Sequence, residues 1–486
     1  MIAVYSLLLL SAVGIVFFAL SGHKENIGKF NTRINGVSLL ITVILAMTVF
    51  NQGTLLSSGK AFLIDSFNVY LIVLTAFVGF TTSLFSEPYM AHEIELGKLT
   101  QGRLKLYYSM YQGFMLAMYL VLTTNNMGIM WVAMEGATLA TVLLVSLYRT
   151  PESIEAAWKY FILCGVGIAQ ALFGTILLYY AASQIGDSEN ALLWSVLHEH
   201  ATELNPDILE IAFVFLLIGY GTKMGLVPLH NWLPDAHSEG PTPMSAVLSG
   251  LLLNDALYAV IRNKMLIDGA TQTHIAGYLM MGFGLVSFLV AALFLHRQKD
   301  IKRLFSYSSI EHMGLMTFAF GIGGSLATFA GLLHMTVHSL VKSAIFVTVG
   351  HASQISGTQK MTGIRGLIKT QPKVGWGLLI GTLAIAGFPP FGVFTSEFLV
   401  LLATMHEYPW LTPFLLLGIG IAFAGLFRHV QPMVYGVKPE GQLAIKANLI
   451  PVMVHLGLAL WLGLAIPSFL SDWFSQATLL ISGSAL

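Results

Sequence analysis

The sequence predicts an all-α integral membrane protein of about fourteen transmembrane helices, arranged as two inverted five-helix repeats. Three observations carry this. The 486 residues are 56% hydrophobic and only 10% charged, where a soluble domain holds roughly 25% charged residues. Mean hydropathy is +0.75. Apolar stretches of membrane-spanning length recur with short linkers between them, and two stretches broken by Gly and Pro stand in matching places along the chain. A net charge of zero gives nothing to attract nucleic acid, and one cysteine, Cys164, excludes a disulfide framework.

A spanning helix needs ~20 mostly apolar residues. Segments 2–20, 35–51, 67–86, 106–124, 126–148, 158–182, 207–228, 243–265, 273–295, 303–322, 325–350, 375–404, 409–431 and 447–470 meet this. They divide the chain into an N-terminal three-helix part (1–105), a first repeat of spans four to eight (106–270), a second of spans nine to thirteen (271–431) and a last span (432–486). The first segment lacks a basic flank and a small-residue cleavage site, so it reads as a retained helix. Of the 24 Lys and Arg, 19 fall on alternate loops, among them Lys24, Arg103, Lys159, Arg303, Lys438 and Lys446. The other side has Lys60, Arg262 and Lys264, and Lys223 and Lys342 fall inside spans. Positive-inside asymmetry then places both termini outside a cell inner (plasma) membrane.

Ionisable groups inside a membrane are expensive and default to a functional reading. Glu135 lies mid-span in NNMGIMWVAMEGATLATVLLVSLYR, as a carboxylate on an ion path or as a neutral structural carboxyl. Lys223 lies in FVFLLIGYGTKMGLVPLHNWLP. Burial favours a neutral lysine and a nearby carboxylate favours the ammonium, so a Lys–Glu pair that opens and closes can switch a proton. Glu135 is the natural partner. Snorkelling is the alternative, but Gly225 and Pro228 should break the helix there, within the membrane. His334, His338 and Lys342 recur at i, i+4 and i+8, which stacks them on one helix face. Histidine takes and gives protons near neutrality, so this face reads as a relay over roughly 12 Å. Neither histidine has the flanking Glu of an H-E-x-x-H metal site, and no metal site is expected. Glu397 follows Pro389 and Pro390 in LAIAGFPPFGVFTSEFLVLL, where a broken helix needs a wet or protein-lined setting. Asp255, in LLLNDALYAVIR, is a fifth site, open between function and structure.

The broken stretches align without gaps. GLVPLHNWLPD (225–235) lies on GFPPFGVFTSE (387–397), pairing Gly225 with Gly387, Pro228 with Pro390, and Asp235 with Glu397. The offset of 162 residues is five spans, and an odd number inverts the second copy. Such repeats point to a transport path.

GTKMGLVPLHNWLPDAHSEGPTPMSAVLSG (221–250) and QKDIKRLFSYSSIEHMGLM (298–316) resemble two long motifs of the antiporter-like subunits of respiratory complex I and Mrp antiporters. TTNNMGIMWVAMEG, SIEAAWKY (153–160) and PPFGVFTSEF (389–398) resemble most the hydrogenase-4 component F branch, found in formate hydrogenlyase-type membrane arms. The resemblance implies fourteen helices and a proton path in which Glu135 pairs with Lys223, His334, His338 and Lys342 bridge to the second half, and Glu397 ends it. Asp235, His237, Asn254 and Asp255 are possible additions. In complex I relatives a lysine usually stands where this chain has Asn254, which cannot hold a proton, so Asp255 or water would fill that step or the path is broken.

The expected function is a proton-translocating subunit of a membrane-bound energy-converting oxidoreductase. The chain has no cysteine cluster and no dinucleotide fingerprint, so no catalytic centre or cofactor is expected in it. Fe–S clusters with a NiFe site, or with flavin and quinone, would belong to partner subunits: other membrane subunits and a soluble hydrogenase or dehydrogenase arm. The alternatives are a Na⁺/H⁺ antiporter subunit and a non-conducting scaffold for a soluble arm.

Overall fold

A chain that leaves its backbone no water to bond must satisfy its amides internally, and helices do this within one segment. The computed structural model is helical almost throughout. It describes residues 1–21, 26–184, 190–271, 273–437 and 447–483; Lys24, Lys438 and Lys446 of the basic count lie outside these. The helices are α1 (Ile2–Leu20), α2 (Ile27–Gln52), α3 (Ser66–Glu95), α4 (Gln101–Thr123), α5 (Met127–Val145), α6 (Pro151–Ser183) and α7 (Trp194–Glu199). They continue with α8 (Pro206–Met224), α9 (Trp232–Glu239), α10 (Thr242–Val247), α11 (Leu253–Ala270), α12 (Ile275–Leu295), α13 (Ile301–Ile322) and α14 (Gly324–Ser356). The last are α15 (Leu367–Thr370), α16 (Pro372–Ile385), α17 (Gly392–Glu407), α18 (Thr412–Tyr435), α19 (Ile450–Leu464) and α20 (Ser468–Ser482). The one strand pairing is a two-residue antiparallel ladder, Leu55–Leu56 on Leu63–Ile64, among the described residues.

Among the described residues nine helices are long and apolar enough to cross a membrane, or ten if the bent pair α19–α20 is one span. Helices α4, α8 and α13 fall outside that set because they carry charged and hydroxyl side chains. Almost every residue of α13 is buried. Among the apolar spans, the α10–α11 stretch and α14 are wholly enclosed, whereas α1, α2 and α18 leave most of their surface exposed. The inside of the bundle is therefore built around α10–α11, α13 and α14, with α1, α2 and α18 at its rim.

Local signals fix the helix ends. Asp65 caps α3 by accepting from Phe67 N and Asn68 N, each at 3.0 Å, and Asn68 returns the bond to Asp65 N. Pro151 and Pro206 follow the N-caps Thr150 and Asn205, where a missing N–H is harmless. The α8 helix stops at Gly225, left-handed at φ 77°, with Leu226 N bonded to Gly221 O at 2.9 Å and Gly225 N to Thr222 O at 3.1 Å. The α16 helix stops the same way: Gly387 has φ 66° and Phe388 N bonds Leu383 O at 3.1 Å. The peptides Val227–Pro228 and Pro389–Pro390 are both cis.

Two features depart from the expected spans. The last segment does not run straight to 470: α19 ends at Leu464, and α20 leaves at 79°. Pro467 holds Ile466 out of the helical region and has no amide to continue the ladder. Between α10 and α11, Leu248–Leu252 form a π turn. Ser339 Oγ of α14 donates to Gly250 O at 2.6 Å, satisfying one of its carbonyls.

Candidate functional site

Close helix crossing sets the first cluster. On α6 and α8 a Cβ at Gly174 would lie 2.6 Å from Leu216, and one at Gly219 would lie 2.6 Å from Ala171. The glycines let the two backbones touch, which brings Lys223 beside Tyr160. Lys223 is buried. Its Nζ donates to Thr138 Oγ1 and, at 3.4 Å, to Tyr160 Oη, and it sits 5.0 Å from the Tyr160 ring centroid. Thr138 Oγ1 donates in turn to Glu135 Oε2 at 3.0 Å. The expected Lys–Glu partners therefore meet through a hydroxyl. No direct ion pair joins them among the described residues, because Thr138, one helical turn after Glu135, occupies the gap. Tyr160 is held by Thr141 at 2.7 Å and stacks on Trp232 at 4.5 Å. Trp232 Nε1 donates to Thr222 O at 2.8 Å, satisfying a carbonyl at the broken end of α8. Glu135 itself is half-buried, on an α5 face that also shows Val132 and Leu139.

The middle of the bundle is crossed by polar side chains of α11 and α14. Asn254 Nδ2 donates to Ser339 Oγ at 2.8 Å and to Met335 O at 3.2 Å, so it ties α11 to α14. Its neighbour Asp255 is buried. Consecutive helical residues point about 100° apart, so Asp255 does not stand in line with Asn254.

The second cluster draws on α13, α14 and α17. His334 and His338 lie side by side on α14, ring centroids 6.5 Å apart, as the spacing predicts. His312 of α13 completes a triangle with them, at 5.1 Å from His334 and 5.6 Å from His338. His334 Nδ1 lies 2.9 Å from Ser396 Oγ, and Ser396 donates its own hydrogen to Val393 O at 2.9 Å. When Ser396 donates there, its Oγ accepts from His334 Nδ1–H, and His334 Nε2 can then accept from His312 Nδ1–H at 3.0 Å. His312 Nε2 is left facing Glu311 Oε2 at 3.3 Å, while Glu397 Oε1 stands 3.9 Å from His312 Nδ1. His312 is thus a branch point between two carboxyls and a second imidazole. A proton arriving at Nε2 can leave as the Nδ1 proton, toward His334 or Glu397. Glu397 is folded back so that its Oε2 occupies the space a Cβ on Gly387 would need. Lys342 donates to Phe305 O at 3.0 Å.

The remaining expected residues fall elsewhere. Asp235 pairs with Lys159 at 2.6 Å and with Arg303, at an edge of the bundle away from the histidines. It does not share the setting of Glu397, its partner in the repeat alignment. His237 is buried, stacks on Phe346 at 4.8 Å, and has no hydrogen-bond partner on either ring nitrogen among the described residues. Glu311, His312, Thr138, Tyr160 and Ser396 were not singled out from the sequence. Glu311 and His312 could have been: they are adjacent ionisable residues inside an expected span.

A family model described as "NADH:quinone oxidoreductase/Mrp antiporter, TM" matches residues 124–423, from the end of α4 into α18. The chain belongs to this family. It is 52% identical over 425 residues to the hydrogenase-4 component F homolog of Methylacidiphilum infernorum (isolate V4), covering 87% of this chain and 89% of that one. It is 26% identical to a Na(+)/H(+) antiporter subunit of Alkalihalophilus pseudofirmus, over 88% of this chain and 86% of the relative. Its fold is similar to a chain of the membrane-bound sulfane sulfur reductase, an archaeal respiratory membrane complex, with a TM-score of 0.89, 24% identity, and coverage of 99% and 97%. The chain is therefore a multi-pass membrane protein of the antiporter-like type, and both of its polar clusters fall within the matched region.

Proposed function

We propose that this chain is a proton-translocating, antiporter-like subunit of a membrane-bound energy-converting oxidoreductase complex of the hydrogenase-4 or complex I kind. The observation that carries the reading is the buried constellation on three helices in which His312, His334 and Ser396 are linked in a chain and the carboxyls of Glu311 and Glu397 stand within 4 Å of the His312 ring. Intramembrane ionisable groups of this kind mark ion paths and proton relays. The Lys223–Thr138–Glu135 chain is the matching element of the first half. Charge on Lys223 is favoured when Glu135 is ionised and Thr138 bridges them, and disfavoured when the bridge opens, so the pair loads and unloads a proton. The His312 branch point then passes protons between Glu311 and Glu397.

The proposed architecture is fourteen spans with both termini outside the cell inner membrane, and inverted repeats over 106–270 and 271–431. The matched αL glycine stops at Gly225 and Gly387 support the repeat. Partners are other membrane subunits and a soluble hydrogenase or dehydrogenase arm, which would hold the Fe–S and NiFe, or flavin and quinone, centres. Two relatives support the membrane partners, one named as a hydrogenase-4 component homolog and one a chain of an archaeal respiratory membrane complex.

The test uses the intact complex in sealed vesicles, with proton uptake and electron transfer measured together. His312→Asn should slow uptake about 100-fold, the low end of what a positioned acid–base group contributes, while electron transfer in detergent persists. Unchanged uptake would overturn the relay. Uptake that requires Na⁺ in the wild type would favour cation exchange instead.

A further inference from the structure

The polar side chains of α11 leave it on two sides. Asn254 turns toward α14, where its amide bonds Ser339 and Met335. Asp255, one residue on, points about 100° away from it. Tyr258 and Arg262 follow Asp255 at i+3 and i+7, so the three share one helix face. That face turns toward the start of α3: the Tyr258 ring lies 5.1 Å from Phe67, and Arg262 pairs with Asp65 at 2.6 Å.

Arg262 is the one cation on this face, two turns or about 10 Å along the axis from Asp255, and it is already engaged. Asp65 takes its charge, Tyr258 Oη accepts from its Nε at 3.0 Å, and the Trp194 ring covers its guanidinium at 4.4 Å. The helices packed around α11 include α4, α8 and α13. Lys223 of α8 is engaged by Thr138 and Tyr160, Tyr119 of α4 is a phenol and neutral at physiological pH, and Glu311 and His312 of α13 belong to the second cluster. Asp255 is 1% exposed, and its Oδ2 has no hydrogen-bond partner among the described residues.

An ionised carboxyl enclosed without a cation or a donor is so costly that the group takes up a proton instead. An aspartate that serves the fold is matched, as Asp65 is by Arg262 and by the amides it caps. Asp255 Oδ2 is unmatched. So are Asn254 Oδ1 beside it and both ring nitrogens of His338, the residue before Ser339 on α14, among the described residues.

We propose that Asp255 is a proton-holding group of the path: a carboxylic acid at rest, which gives its proton by way of water to the imidazole of His338 and takes another when the path reloads. This rests on the proton-translocating reading above. The transfer breaks the carboxyl O–H bond and leaves a carboxylate and an imidazolium; nothing is oxidised or reduced. The proton that Asn254 cannot hold is held by its neighbour, on a different side of the helix.

The test uses the intact complex. With ¹³C-carboxyl aspartate incorporated, its infrared spectrum should show the carbonyl band of an undissociated acid that shifts with the label and in D₂O. The absence of any such aspartate band in the wild type would overturn the proposal without a substitution. Asp255→Asn should remove the band and slow proton uptake into sealed vesicles about 100-fold, while electron transfer in detergent persists. Asp255→Glu, which keeps the acid, should pump far better than the asparagine variant; equal failure of the two would overturn the proposal. Wild-type uptake by Asp255→Asn while His312→Asn is slow removes Asp255 from the path and leaves the path standing. Wild-type uptake by both overturns the path and this assignment with it.

Discussion

Thr138→Val tests the first cluster with the least structural disturbance. Valine has the shape of threonine, so the α5 packing is kept, but the hydroxyl that joins Lys223 to Glu135 is gone. Lys223 would retain only its longer bond to Tyr160 Oη at 3.4 Å. A hydrogen bond to a charged group is worth about 1.5–3 kcal/mol. At about 1.4 kcal/mol per factor of ten, that is roughly a 10- to 100-fold bias toward the neutral amine. Proton uptake by the complex in vesicles should fall by a similar factor, measured with a pH-sensitive dye at matched electron flux. Thr138→Ser keeps the hydroxyl and loses only a methyl, so it should pump within a few-fold of wild type. If valine pumps like wild type, or if serine and valine fail alike, the bridge is not part of the path.

Three further outcomes follow from the same geometry. Ser396→Ala removes the acceptor of His334 Nδ1–H, so ¹⁵N NMR of the labelled histidines should show His334 changing tautomer; an unchanged spectrum refutes the assigned order. Gly387→Ala meets both a left-handed backbone and the Glu397 carboxylate, and should lose more thermal stability in detergent than Gly357→Ala. Gly357 has φ 64° and ψ 11° with open space around it, so it carries only the backbone penalty of about 1–2 kcal/mol; equal losses would exclude the Glu397 contact. Arg262→Met leaves Asp65 buried without its 2.6 Å partner, a loss of about 3–5 kcal/mol. Adding Asp65→Asn, which still caps α3, should recover much of it in the same unfolding measurement, and no recovery refutes charge pairing as the cause.

The sequence announced whatever is periodic or expensive. Apolar length marked the helices, Gly225 and Gly387 marked the breaks, and the His334–His338 spacing placed two rings side by side because a helix repeats almost every fourth residue. It could not announce pairings between helices. His312 becomes a site residue only because α13 crosses α14 where His334 lies, with Gly331 of α14 close against the Phe320 ring of α13. Thr138 gave no signal, since a threonine in a membrane helix usually bonds its own backbone, as Thr138 also does to Met134 O at 3.2 Å. Asp235 aligns with Glu397 in sequence, while Lys159 and Arg303 come from elsewhere in the fold to pair with it. The bend at Ala465–Pro467 was legible in principle: proline disfavours helix at the residue before it.

Asn254 gains a meaning from its surroundings that its identity alone does not give. Its amide donates to Ser339 Oγ, and Ser339 donates to Gly250 O in the π turn. The residue therefore spends its donors holding the π turn of the α10–α11 stretch against α14, next to His338. Its Oδ1 is buried and has no protein partner among the described residues. An open buried acceptor raises the energy of the site until a donor reaches it. A lysine here would bring its own charge and repel protonated Lys223 and Lys342; an asparagine offers an acceptor and no charge. On the proposed path, Asn254 would offer a passing donor an acceptor without storing a proton itself.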